Sequence, residues 1–182
     1  MFETLVFFAV SAALIYVSWG ALHNPKSHGF YRFFAWESIL GLVLLNFPVW
    51  GVNPLAPHQL LSWLLLISSI GLAIHAVKLL KTIGKPTPER ADEALFDFEK
   101  TSSLVTSGVF KYIRHPMCAS LIFLAWGAFL KQFSWLGFCL VLVASILLML
   151  SAKRDEAACL VHFGGEYQSY MHKTKRFIPF LF

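Results

Sequence analysis

The stretch Gly108–Leu130, GVFKYIRHPMCASLIFLAWGAFL, sets Lys111, Arg114 and His115 directly against an apolar run, with Pro116 at the junction. Proline is well placed in the first turn of a helix, where its missing N–H leaves no bond unmade. The stretch therefore predicts a helix that starts at Pro116 and enters an apolar medium, with a basic collar outside it. The collar has two readings. Arg114 can snorkel to lipid phosphates. Alternatively, Arg114 and His115 flank free backbone N–H groups at a helix N-terminus and receive an anionic group there.

The composition supplies the medium. Hydrophobic residues make up 57% of the 182 positions and charged residues only 14%, against about 25% charged in a soluble domain. The apolar residues form five blocks: Phe2–Leu22, Phe33–Gly51, Leu60–Leu80, Met117–Leu130 and Phe133–Ala152. A helix needs about 20 residues to cross a hydrocarbon core of about 30 Å. Four blocks meet this, and Met117–Leu130 is short at 14 residues. The expectation is an all-α polytopic membrane protein of about five transmembrane helices. It is read as one membrane domain over 1–182, with three spans in 1–81 and a two-helix hairpin towards the C-terminus.

If all five blocks cross, every Lys and Arg except Lys131 falls on one side. The positive-inside tendency makes that side cytoplasmic, leaving the N-terminus outside. Phe2–Leu22 has no preceding basic residue, unlike a secretory signal, and is read as an uncleaved span. The net charge of +5 is assigned to a collar against anionic lipid, with no nucleic acid partner. Cys118, Cys139 and Cys159 are far apart, and His23, His28, His58, His162 and His172 lack metal-ligand spacing. No metal site is expected, and these histidines are read as interfacial.

The longest polar stretch is Lys81–Gly108, where Gly84, Pro86 and Pro88 stop the preceding helix. Within it, ADEALFDFEK reads as a short surface helix with Leu95, Phe96 and Phe98 towards the bilayer. In the tail, Ala157–Phe163 extends the last span until Gly164 and Gly165 stop it. EYQSYMHK then adds a helical turn or two, and RFIPFLF returns to the interface.

Asp155 and Glu156 follow the uncharged last span directly. A helix C-terminus disfavours negative charge, so they call for a cationic partner: Lys153, Arg154 or Arg114, or a cationic ligand. The hairpin brings Arg114–Pro116 and Asp155–Glu156 to the same face. An anion receptor beside a cation receptor suits an amino-acid zwitterion. Glu37, Asn46, His75 and Lys78 lie within spans, where polar groups need partners. Glu37 either lines a substrate tunnel or pairs with Lys78 or Arg32.

These residues also carry a family pattern. Gly108, Tyr112, the triplet Arg114–His115–Pro116, a hairpin, then Asp155–Glu156, Phe163–Gly164, Tyr167 with Tyr170 and Arg176–Phe177–Ile178–Pro179 resemble the isoprenylcysteine carboxyl methyltransferase and phospholipid methyltransferase superfamily. The resemblance runs from about Leu104 to Pro179. Cys118 stands where the pattern has Tyr, and Asp155 where it has Glu.

The resemblance implies a methyltransferase-like core in 82–182 with S-adenosyl-L-methionine as methyl donor, held at the cytoplasmic face. It implies cofactor contacts from Val105, Gly108, Tyr112, Arg114, His115, Pro116, Asp155 and Glu156. Arg114 and His115 take the carboxylate side, and Glu156 with Asp155 the ammonium. Arg114 and Glu156 are the candidate catalytic residues, Glu156 being the base if the acceptor is an amine. Glu37, Tyr167, Tyr170 and Arg176 are the candidate substrate contacts. The acceptor it implies is a lipid or lipid-modified small molecule, such as a prenylcysteine carboxylate, reached sideways from the bilayer. The alternatives are a lipid-amine N-methyltransferase and a non-enzymatic transport or assembly protein working through Glu37, His75 and Lys78.

Overall fold

The structure, a computed structural model, describes residues 2–87 and 95–179. Among them it is all-helical: α1 Phe2–Val17, α2 Trp19–Leu22, α3 His28–Asn46, α4 Pro57–Thr82, α5 Pro116–Phe129, α6 Trp135–Phe163 and α7 Gly165–Lys173, with short 3-10 turns between some of them. The local sequence sets many of these limits. Ser27 caps α3 by accepting from Phe30 N, and Ser134 caps α6 by accepting from Gly137 N. Pro57 and Pro116 open α4 and α5. Gly164 ends α6 at φ +57°, a left-handed conformation that costs glycine little.

Three helical stretches are long and apolar enough to cross a membrane: His28–Val49, Pro57–Thr82 and Trp135–Phe163. Two shorter apolar helices, Phe2–Val17 and Pro116–Phe129, accompany them. The 29 residues of α6 rise about 44 Å. That exceeds the core of about 30 Å, so the helix has length to spare for the turn bearing Asp155 and Glu156.

The structure corrects two sequence expectations. ADEALFDFEK is not a surface helix turned to lipid over the part described. Residues 91–94 lie outside the described residues, Asp97–Glu99 form a 3-10 turn, and Leu95 is buried. In the closing RFIPFLF, Phe177 does not return to the interface. It is buried against Ile113, Ala119 and Ala152, and 180–182 lie outside the described residues.

Helices α3, α5 and α6 share a core of Ala35, Ile39, Leu42, Ala125, Ala128, Phe129, Val141, Ala144 and Leu148. In lipid the helices gain nothing from hiding apolar surface, so small residues and close packing hold them together. The 14 residues of α5 rise only about 21 Å, and its last carbonyls and those of the turn after it end among protein groups. Neighbouring side chains satisfy them. Asn46 Nδ2 donates to Ala128 O at 2.8 Å, Ser62 Oγ to Gly127 O at 2.7 Å and Gln59 Nε2 to Lys131 O at 2.9 Å. A free carbonyl in hydrocarbon costs several kcal/mol, so these contacts are what allow a short helix here. Lys131 closes the hairpin tip, donating to Gln59 Oε1 at 3.1 Å with its ammonium 3.4 Å from the Trp63 ring centroid.

Candidate functional site

The chain after α7 doubles back beside the segment that leads into α5. Ile113 and Lys175 form a parallel bridge: Arg114 N donates to Lys175 O at 2.8 Å, His115 N to Arg176 O at 3.1 Å and Lys175 N to Tyr112 O at 3.0 Å. This pairing sets Arg114, His115 and Arg176 over the end of α6.

Glu156 is their common target. Arg114 Nε donates to its Oε1 at 2.9 Å, Arg176 Nε to Oε1 at 3.1 Å and an Arg176 terminal nitrogen to Oε2 at 2.7 Å. His115 Nε2 lies 3.3 Å from Glu156 Oε1, and its Nδ1 3.4 Å from Asp155 Oδ2. Arg114 donates further to Met171 O at 3.1 Å and to Thr174 O. Glu156 is 5% exposed, so a single buried carboxylate ties α6, the entry to α5 and the tail together.

His115 sits between two carboxylates with both ring nitrogens facing them, which suits an imidazolium. Burial pushes its pKa down, but hydrogen bonds and charge from Asp155 and Glu156 outweigh this and raise it above the ordinary 6.5. A raised histidine pKa contributes stability that is complete below about 6.5 and is lost as pH rises through the folded value. Thermal unfolding across neutral to alkaline pH is therefore expected to show falling stability, with the slope reduced in His115→Gln. Burial also pushes the Tyr167 and Tyr170 phenols up, which keeps them protonated. Tyr170 Oη donates to Phe110 O at 2.7 Å.

Next to this cluster opens a cavity enclosing about 960 Å³, open solvent included. Of the residues expected to contact a cofactor, Val105, Arg114, His115, Pro116 and Asp155 line it, while Gly108, Tyr112 and Glu156 do not. Of the expected substrate contacts, Tyr167 and Tyr170 line it and Glu37 and Arg176 do not. Glu37 lies apart, accepting from Ser11 Oγ of α1 at 2.6 Å. Arg176 is turned to Glu156. Gly108 adopts φ +59°, and a Cβ there would meet Leu79 Cδ1 at 2.7 Å, so its place is a turn packed on α4.

The sequence reading missed the opposite wall: His28, Arg32, Trp36, Phe96 and Glu99. Arg32 donates to both Glu99 carboxylate oxygens at 3.0 and 2.9 Å. Its guanidinium carbon lies 4.5 Å from the Phe96 ring centroid and 5.1 Å from that of Trp36. The signal was the four-residue spacing of His28, Arg32 and Trp36, which puts them on one helix face.

The lining carries groups that could hold a zwitterionic cofactor. Asp155 offers a carboxylate to an ammonium, and Arg114 with the first turn of α5 offers positive charge to a carboxylate. Phe110, Phe163, Tyr167 and Tyr170 add aromatic side chains to the lining. Among the described residues there is no His, Cys, Asp and Glu cluster able to hold a metal ion.

Compared with known proteins, residues 57–164 match the family model for phospholipid methyltransferase, which is more than half of the chain. No curated protein and no solved structure matches it.

Proposed function

The chain belongs to the phospholipid methyltransferase family, a family of membrane methyltransferases acting on lipids, and from that premise we propose that it transfers a methyl group from S-adenosylmethionine to a lipid or lipid-modified small molecule at the cytoplasmic face. The observation that carries this is Asp155. Its carboxylate lines the pocket beside His115 and Arg114, at the mouth of α5 and among aromatic rings.

The cofactor, when bound, supplies a methyl group already activated on a sulfonium. The protein's part is to bind, align and keep water out. Asp155 receives the ammonium. The positive end of α5 and the Arg114 side receive the carboxylate. Val105, Phe110, Phe163, Tyr167 and Tyr170 wall the pocket. Glu156 has both oxygens taken by Arg114, Arg176 and His115, so it positions these groups rather than contacting the cofactor. That changes the role which the resemblance implied for it. Helix α3 of 1–81 lines the same pocket as Asp155 of 82–182, which supports reading the two parts as a single membrane domain. The charge asymmetry supports a topology with the N-terminus outside and the pocket cytoplasmic.

The test is calorimetric titration of S-adenosylmethionine and S-adenosylhomocysteine into the protein in lipid nanodiscs. Saturable binding of both is expected. Asp155→Asn is expected to weaken it about tenfold or more, the loss of one charge-assisted hydrogen bond. No binding to the unaltered protein in nanodiscs overturns the reading.

A further inference from the structure

Helix α3 changes character along one face. His28, Arg32 and Trp36, four residues apart, all line the pocket that contains Asp155. Further along the same helix, Ile39, Leu40 and Val43 line an apolar groove closed by α1 and by Leu121 and Leu124 of α5. Trp36 and Leu121 line both spaces, so pocket and groove adjoin. Polar at one end and apolar at the other, this track has the shape of an amphiphile.

The polar end holds an unmet group. His28 is 6% exposed, and its Nε2 is buried without a hydrogen-bond partner among the described residues. A buried nitrogen left unpaired costs stability and offers a partner to an arriving polar group. The backbone around it is fixed, since Ser151 Oγ of α6 donates to His28 O at 2.9 Å. Trp36 is also fixed, because the guanidinium that lies over it is held by Glu99. All of α3 precedes residue 57, outside the stretch that the family model matches.

Resting on the methyltransferase reading above, the geometry points to this face of α3 as the wall that binds the methyl acceptor. His28 Nε2 hydrogen-bonds the polar head. Trp36 marks the junction of head and chain. The groove of Ile39, Leu40 and Val43 takes one hydrocarbon chain, entering from the bilayer between α1 and α5. The donor end of the pocket, at Asp155 and the start of α5, stays separate from it.

Two variants test this, His28→Ala and Leu40→Trp, each in nanodiscs. The first readout is S-adenosylhomocysteine affinity, expected to stay within about twofold in both. The second is methyl transfer from labelled S-adenosylmethionine to dioleoylphosphatidylethanolamine and to N-acetyl-S-farnesylcysteine. For the probe that is methylated, His28→Ala is expected to raise KM about tenfold. The third is photolabelling by a phosphatidylethanolamine with a diazirine in its acyl chain, mapped by peptide. Label on the residues lining the groove is expected to fall about fivefold in Leu40→Trp, with label elsewhere unchanged. Where neither probe is methylated, the photolabel decides alone. Groove labelling unchanged by Leu40→Trp, or an unchanged KM in His28→Ala, overturns the inference. Failure of the methyltransferase reading is separate: the unaltered protein then binds no S-adenosylhomocysteine, whatever the groove labels.

Discussion

Glu156→Ala is expected to abolish binding of S-adenosylmethionine and to destabilise the protein by about 3–5 kcal/mol, the cost of breaking a buried ion cluster from one side. Three cationic side chains converge on this carboxylate: Arg114 at 2.9 Å, Arg176 at 2.7 Å and His115 at 3.3 Å. Taking it away removes the carboxylate that Arg114 and Arg176 share, at side-chain exposures of 9% and 20%. The loss is large against a whole-protein stability of about 5–15 kcal/mol. The effect on binding is indirect. Without Glu156 the strand-like pairing of Ile113 with Lys175 loses its anchor, and the pocket residues that flank it lose their registration. Glu156→Gln keeps the shape but turns an NH₂ towards one arginine, so it is expected to fall between the two. Nucleotide titration and thermal unfolding of both variants check this. Wild-type cofactor affinity in both Glu156→Ala and Arg114→Ala would contradict the site.

The two halves of this cluster differ in how legible they are from sequence. The meeting of Arg114–His115–Pro116 with Asp155–Glu156 follows from two antiparallel helices joined by a short turn, and Pro116, Ser134 and Gly164 mark where those helices begin and end. Arg176 as a second partner of Glu156 does not follow. It depends on the tail crossing back to pair with 112–115, a long-range backbone contact without a local signature. Leu95 and Phe96 misled for a related reason. Apolar residues in a polar loop look lipid-facing, yet Leu95 is buried and Phe96 stacks on Trp36, with centroids 5.9 Å apart. Glu37 was legible as a carboxylate within a span that needs a partner, but Ser11 of α1, which lies 2.6 Å from it, is one hydroxyl among several in an apolar block.

Gly127→Leu is the second large effect expected, and it tests why so short a helix holds its place. A Cβ at residue 127 would lie 2.9 Å from Leu66 Cγ, 3.0 Å from Leu66 Cδ2 and 3.3 Å from the Leu66 backbone nitrogen. The side chain could rotate away, but the backbone of α4 could not, so a leucine here pushes α4 and α5 apart. Overpacking of this kind costs about 1–3 kcal/mol. Separation then breaks the 2.7 Å bond from Ser62 Oγ to Gly127 O, leaving a carbonyl unpaired in an apolar setting at a further cost of about 1–3 kcal/mol. Lipid offers no opposing force, because displaced apolar side chains are as well solvated by acyl chains as by each other. A fall in melting temperature of about 10 °C is expected, with weaker nucleotide binding, since α5 carries the pocket at its other end. Gly71 is the control. It sits on the same α4, and a Cβ added there would have nothing within 4 Å, so Gly71→Leu is expected to melt as the unaltered protein does. Equal melting of Gly127→Leu and Gly71→Leu would mean that close packing of α4 on α5 is not what holds the short helix. The carbonyl bonds from Asn46, Ser62 and Gln59 would then have to do so alone.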